Sequence, residues 1–239
     1  QRQMCIRDSG NPNFNPLEQS RERADKGLTA LDTEKISLPF IQQSLQYPIS
    51  EYADPVIATW HKEKLAIHQQ KPYIEAATLV PLIQTTHGLE LLLTRRSLHL
   101  KKHSGQISFP GGRVDQEDAS AEQAALRETL EEIGVESQFI QVLGALPDFF
   151  TGTGFVMKPF VGILQDGYQL SINRNEVEEV FTVPLSFVLN PSNHYLHHIR
   201  ETDASSPLKQ YFSIPYHDYF IWGATAAVIR NFYYKLARL

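Results

Sequence analysis

The 239-residue chain has one cysteine, Cys5, so no intramolecular disulfide can staple it. That poverty fits a reducing compartment, and the expected location is the cytoplasm. No apolar run reaches the roughly 20 residues that a membrane-spanning helix needs. Basic residues are outnumbered, 22 against 27 acidic, and the net charge is −5. A broad nucleic-acid-binding surface is therefore not expected. Residues 1–9 lack periodicity and an apolar core, and so do not resemble a signal peptide. They resemble translated adapter sequence, and with them goes the only thiol. The remaining composition, 42% hydrophobic and 21% charged, is that of an ordinary globular protein. The length suits one domain with an extension.

Lysine is also missing from one helix where it would be expected. Arg127-Glu128-Thr129-Leu130-Glu131-Glu132-Ile133-Gly134-Val135 follows a Gly111-Gly112-Arg113-Val114-Asp115 turn. Glu128, Glu131 and Glu132 stand at i, i+3 and i+4 and share a face. Like charges at that spacing destabilise a helix, and no lysine is placed to relieve them. A divalent cation would turn the repulsion into coordination, and Mg²⁺ favours carboxylates, waters and substrate phosphates. Ser120 reads as the N-cap, with Gln123 completing a capping-box pattern, and Gly134 as the stop. Leu126, Leu130 and Ile133 are expected to pack on a sheet. Ala121, Ala124 and Ala125 are expected beside the glutamates, leaving room for a ligand.

Along the rest of the chain, residues 1–29 read as a disordered arm and 30–72 as an extension with one or two helices, cut by Pro39, Pro48 and Pro55. Residues 73–239 read as the main domain. Strands are expected at Ala76–Gln84, Leu89–Arg95, Phe139–Leu146, Phe155–Ile163 and Glu178–Val183. A short helix at Pro184–Leu189, a late hairpin around Ile199 and Phe212–Ile214, and a closing helix from Gly223 complete the reading. Strands mixed with helices give an α/β sandwich.

The glycine turn and glutamate helix resemble the Nudix box, in which a glycine, five residues, a glutamate and seven residues precede the Arg-Glu…Glu-Glu core. Thr129 takes an apolar position of that pattern. Asp118 stands where the first glutamate would be, and eight residues rather than seven separate it from Arg127. On that spacing Asp118 is not expected to share the site. Leu92–Ser97 and His103–Gly112 are similar to the segment upstream of the box in Nudix coenzyme A pyrophosphatases. Phe220–Ala226 is similar to that subfamily's C-terminal segment. The resemblance covers about Ala76 to Leu236.

The resemblance implies an α/β/α sandwich with a mixed sheet, here with an N-terminal helical extension. It implies Mg²⁺ or Mn²⁺ held by Glu128, Glu131, Glu132 and the Gly112 carbonyl, with Arg127 orienting a glutamate. Metal ions would neutralise diphosphate oxygens and acidify a bound water. Glu128, Glu132 and Glu176 are the candidate proton acceptors. The basic cluster Arg95, Arg96, Lys101, Lys102 and His103 precedes the turn and suits an anion with an extra phosphate. Arg96, Lys102, His103, Gly111 and Gly112 are the expected substrate contacts. The expected substrate is coenzyme A or a derivative, cleaved to 3′,5′-ADP and 4′-phosphopantetheine. Alternatives are ADP-ribose, a dinucleoside polyphosphate, or a non-catalytic nucleotide-binding module. No partner beyond a small-molecule nucleotide and, at most, a second copy in a homodimer is expected. Phe149–Phe155 reads as a hairpin loop with core aromatics, and Trp222 as core.

Overall fold

A computed structural model of the chain describes residues 14–47, 54–67, 73–100, 102–199 and 209–238. In chain order the elements are β1 (Ser20–Arg23), α1 (Leu38–Gln46), α2 (Pro55–Ile67), β2 (Ile74–Thr85), β3 (Gly88–Arg96), β4 (Ile107–Ser108), β5 (Gly111–Arg113) and α3 (Ala121–Ile133). They continue with β6 (Ile140–Ala145), β7 (Phe149–Phe150), β8 (Phe155–Leu164), β9 (Val177–Pro184), α4 (Leu185–Val188), β10 (Tyr195–Ile199), β11 (Lys209–Tyr216), β12 (Tyr219–Trp222) and α5 (Ala224–Ala237). Among the described residues no helix is long and apolar enough to cross a membrane.

The period of two in β2 decides which layer each residue joins. Ala77 and Leu79 face the clusters that also hold Ala124, Ala125, Leu126 and Ile133 of α3. Val80 and Leu82 face the opposite cluster, with Ile41 and Leu45 of α1, Ile57 of α2 and Phe232 of α5. The sheet is thus covered by helices on both faces, the expected α/β/α sandwich. It is mixed: β2 runs parallel to β8 and antiparallel to β3.

The site arises where β2 changes partner along one edge. Leu82–Thr85 pair with β3, but Ala76–Thr78 pair with Thr78↔Gly111 through Ala76↔Arg113 of β5. Beyond this fork β3 continues alone, pairing with β4 and β9. The glycines of β5 therefore lie against α3, with the end of β3 alongside on the other branch of the fork.

Two expectations differ from the structure, the arm and Leu130. Residues 1–29 were expected to be an arm, yet Ser20–Arg23 form an edge strand on β10 in a second, four-stranded sheet. The extension forms two helices, α1 and α2, packed on the main core, and Asp54, just before α2, is fully buried on Arg230 of α5. Leu130 does not pack on the sheet and is 46% exposed. The buried stripe of α3 instead runs through Ala125, Thr129 and Glu132, with the Thr129 hydroxyl bonded to Ala125 O at 2.7 Å. Residues 1–13 lie outside the described residues, as does Lys101.

Candidate functional site

The local start and stop of α3 follow the sequence. Ser120 Oγ accepts from Gln123 N, and Gly134 ends the helix in the left-handed region at φ 76°. Its N-terminal alanines do not line a cavity as expected. Ala124 and Ala125 are fully buried against Ala77, Phe160 and Val114, because a helix can approach a sheet this closely only through small side chains. They bring the glutamates under β5 rather than leaving space beside them.

That close approach explains both glycines of β5. A Cβ on Gly111 would lie 2.4 Å from Ala77 O in the paired strand, and one on Gly112 would lie 2.4 Å from the Glu128 carboxylate. Gly112 is therefore a cradle for Glu128.

Arg127 organises the exposed half of the site. Its Nη1 donates to Glu128 Oε1 at 2.9 Å and to Glu131 Oε2 at 3.3 Å. Its other edge grips Asp118 in a two-bond fork, Nε to Oδ1 and Nη2 to Oδ2, both at 2.9 Å. The exclusion of Asp118 is thus corrected. Asp118 is itself held in a turn, in which Asp118 N donates to Asp115 O and Asp118 Oδ2 accepts from Asp115 N. The Arg127 hydrogen bonds hold the Asp118 carboxyl below the usual carboxylate range. The acidic side chain opposite Arg127 was the available signal, whatever its spacing.

The buried half belongs to Glu132. Its side chain is 4% exposed, and the nearest cation, Arg96 Nη1, is 3.6 Å from Oε1. Among the described residues Glu132 Oε2 and Arg96 Nε have no hydrogen-bond partner. Burial pushes the Glu132 carboxyl up to about 8, with Glu128 and Glu176 adding repulsion and Arg96 and the Gly111 N–H opposing it. Burial also raises Glu128, against the pull of Arg127. Glu176, from the loop before β9, stands close enough to repel both.

The three box carboxylates are therefore divided between two arginines. Glu128 and Glu131 lean on Arg127, and Glu132 faces Arg96. Among the described residues no three potential ligands close on a single point. The donor chemistry still fits a hard divalent cation: clustered carboxylates, one with an orphaned buried oxygen, beside a glycine cradle.

Of the expected substrate contacts, Arg96 turns inward to Glu132. The next loop is closed on the backbone of Arg96, by Arg96 N to Gln106 O at 2.9 Å and Gly105 N to Arg96 O at 3.1 Å. Lys102 is exposed on this loop. His103 sits there at φ 56° with Nδ1 3.0 Å from Gln106 Oε1. Arg95 points elsewhere, pairing with Glu179 at 2.9 Å and lying over the Tyr219 ring. The aromatic loop is a hairpin, β7 against β8, with Phe149 buried as expected.

Residues 73–201 match the model of the NUDIX domain. The chain is 40% identical over 158 residues to NudL, an uncharacterized Nudix hydrolase of Escherichia coli K12, across 66% of this chain and 80% of that protein. The same figures hold for NudL of Escherichia coli O7:K1. Among solved structures it is similar to a MutT protein from Methanosarcina mazei, with 22% identity, 71% and 96% coverage and a TM-score of 0.42. It is also similar to an Ap4A hydrolase of C. elegans, with 22% identity, 46% and 80% coverage and a TM-score of 0.41.

Proposed function

The chain belongs to the NUDIX family, as a Nudix hydrolase, and from that premise we propose that it is a pyrophosphatase acting on coenzyme A or its derivatives. Nudix hydrolases generally use divalent cations such as Mg²⁺ or Mn²⁺. Glu128, Glu131, Glu132 and the Gly112 carbonyl are the oxygens that would hold them. When bound, such cations supply positive charge against the diphosphate oxygens and acidify a water.

The chain's own residues do the rest. Asp118 fixes Arg127, and Arg127 restrains Glu128 and Glu131, so part of the carboxylate cluster is ordered before substrate arrives. Arg96 offsets the buried charge of Glu132. Glu176 accepts the proton of the attacking water as one P–O bond of the diphosphate breaks. The products are 3′,5′-ADP and 4′-phosphopantetheine.

The observation that carries the reaction class is the crowding of the buried Glu132 and of Glu176 against Glu128, whose carboxylate lies in the Gly112 cradle. Support for coenzyme A comes from the loop with Lys102 and His103, which opens directly from Arg96 and so lies on the rim of the acidic site. Cations there suit a 3′-phosphate. The test is purified protein with Mg²⁺ or Mn²⁺ and a panel of coenzyme A, its dephospho form, ADP-ribose and a dinucleoside polyphosphate, followed by ³¹P NMR. Preferential cleavage of coenzyme A is expected. A stronger response to ADP-ribose, or indifference to the 3′-phosphate, would remove the substrate assignment and leave the reaction class.

A further inference from the structure

The last carbonyls of a helix need partners from outside it. In α3 they find them in the segment that follows β8. Ser171 N donates to Ile133 O at 2.9 Å and Asn173 N to Glu132 O at 3.0 Å. Glu132 is thus held at both ends, by its carboxylate in the site and by its carbonyl on this loop. The loop then turns sharply on Asn173. Its carbonyl accepts from Glu176 N at 3.0 Å and Val177 N at 2.8 Å, and its Oδ1 accepts from Asn175 N at 3.2 Å. The far end is fastened too, since Ser97 N, next to Arg96, donates to Glu176 O at 2.8 Å.

The seat of this loop depends on Gly134. Its φ of 76° is one that L side chains rarely adopt, and a Cβ there would lie 2.6 Å from Ser171 Cβ and 2.8 Å from Ser171 N. Any other residue would push Ser171 off the helix end and carry the loop with it.

We propose that Gly134 and the 171–176 loop are positioning elements that set Glu176 against Glu128 and Glu132, so that the helix carrying three carboxylates also places the fourth. The proposal rests on the reading of Glu176 as a working carboxylate given above. Backbone hydrogen bonds fasten both ends of the loop and Asn173 Oδ1 braces the turn between them, so the loop is seated as a unit on the end of α3.

The experiment is a double-mutant cycle on the full chain. It uses Gly134→Ala and Asn173→Ala, each alone and combined with Glu176→Gln. Mn²⁺ affinity is read from the free-ion EPR signal, kcat and KM from coenzyme A hydrolysis with Mg²⁺, and folding from the thermal midpoint. Gly134→Ala is expected to weaken Mn²⁺ binding and lower kcat by about tenfold, with KM little changed. In the Glu176→Gln background the same substitution should change neither by more than about twofold. Asn173→Ala leaves the helix end alone and should show the same pattern at smaller amplitude. If Gly134→Ala does not fold, Asn173→Ala decides. Equal losses with and without the Glu176 carboxylate would overturn the positioning role alone. A Glu176→Gln variant that binds Mn²⁺ and turns over like the parent would overturn both this proposal and the role given to Glu176.

Discussion

Asp54–Arg230 and Glu132–Arg96 are arginine–carboxylate pairs with a buried acid, and they are finished to different degrees. Asp54 and Arg230 meet at 2.6 Å with side chains 0% and 4% exposed. Asp54 Oδ1 also accepts from Val56 N and Ile57 N, so it caps α2 as well. Arg230 donates to Ala24 O and to His194 Nδ1 and lies over the Phe212 ring. Glu132 and Arg96 stand 3.6 Å apart and leave an oxygen and a nitrogen unpaired. A buried charge with every partner in place contributes to a unique fold, and one with partners missing is a cost carried at a site of action. The first pair ties the N-terminal extension to α5. The second, on the function proposed above, would be completed by a bound cation.

The largest expected effect lies at the finished pair. Asp54→Ala leaves Arg230 uncompensated in the interior and should cost about 3–5 kcal/mol of stability in denaturant unfolding. Turnover per folded molecule should be unchanged. If activity fell as far as stability, the division of labour between the pairs would be wrong.

Glu132→Gln should do the reverse. It is expected to lower turnover at least about a hundredfold, since a carboxylate that would hold the cation against the diphosphate is lost. The metal-free protein should be no less stable than the parent at neutral pH. Destabilisation at neutral pH instead would make Glu132 a structural residue.

A smaller loss is expected at Asp118, whose action passes through Arg127. Asp118→Ala should lower kcat by about ten- to a hundredfold, and Asp118→Glu should restore most of it. No recovery with the glutamate would mean that the aspartate matters for its turn rather than for its grip on Arg127.

The pH dependence sharpens the same contrast. Burial lowers His61, His194 and His197 to about 4, against 6.5 for free histidine. Between those values the unfolded chain binds more protons, so stability is lost as pH falls from about 6.5 to 4. Glu132 has the opposite sign. Its folded value of about 8 exceeds the ordinary 4.5, so its contribution is lost as pH rises from about 4.5 to 8. Metal-free protein should therefore be most stable near pH 6.5 in a thermal-melt series. Glu132→Gln should flatten the alkaline limb and leave the acid limb in place.

Much of the site was legible because its signals are local. The Ser120 cap, the Gly134 stop and the glutamate spacing all lie within one helix, and the β2–β3 hairpin within one turn. What was not legible depended on distant partners. Ser20 pairs with His198, and Asp54 with Arg230, and neither segment shows a strong period of its own. Leu130 was assigned by apolar character, but packing against β2 turned the helix onto Ala125 and Thr129, whose hydroxyl finds a partner in the helix itself. Asp118 was set aside on spacing, although a segment one residue longer still delivers its carboxylate to Arg127.

On the function proposed above, a divalent cation would finish the Glu132 cluster. The most direct measurement is the thermal midpoint of the parent and of Glu132→Gln as Mg²⁺ or Mn²⁺ is titrated at neutral pH. A ligand that binds only the folded state must raise the midpoint. The account predicts a rise in the parent that is largely lost in Glu132→Gln. An equal rise in both proteins, or none in the parent, would contradict it.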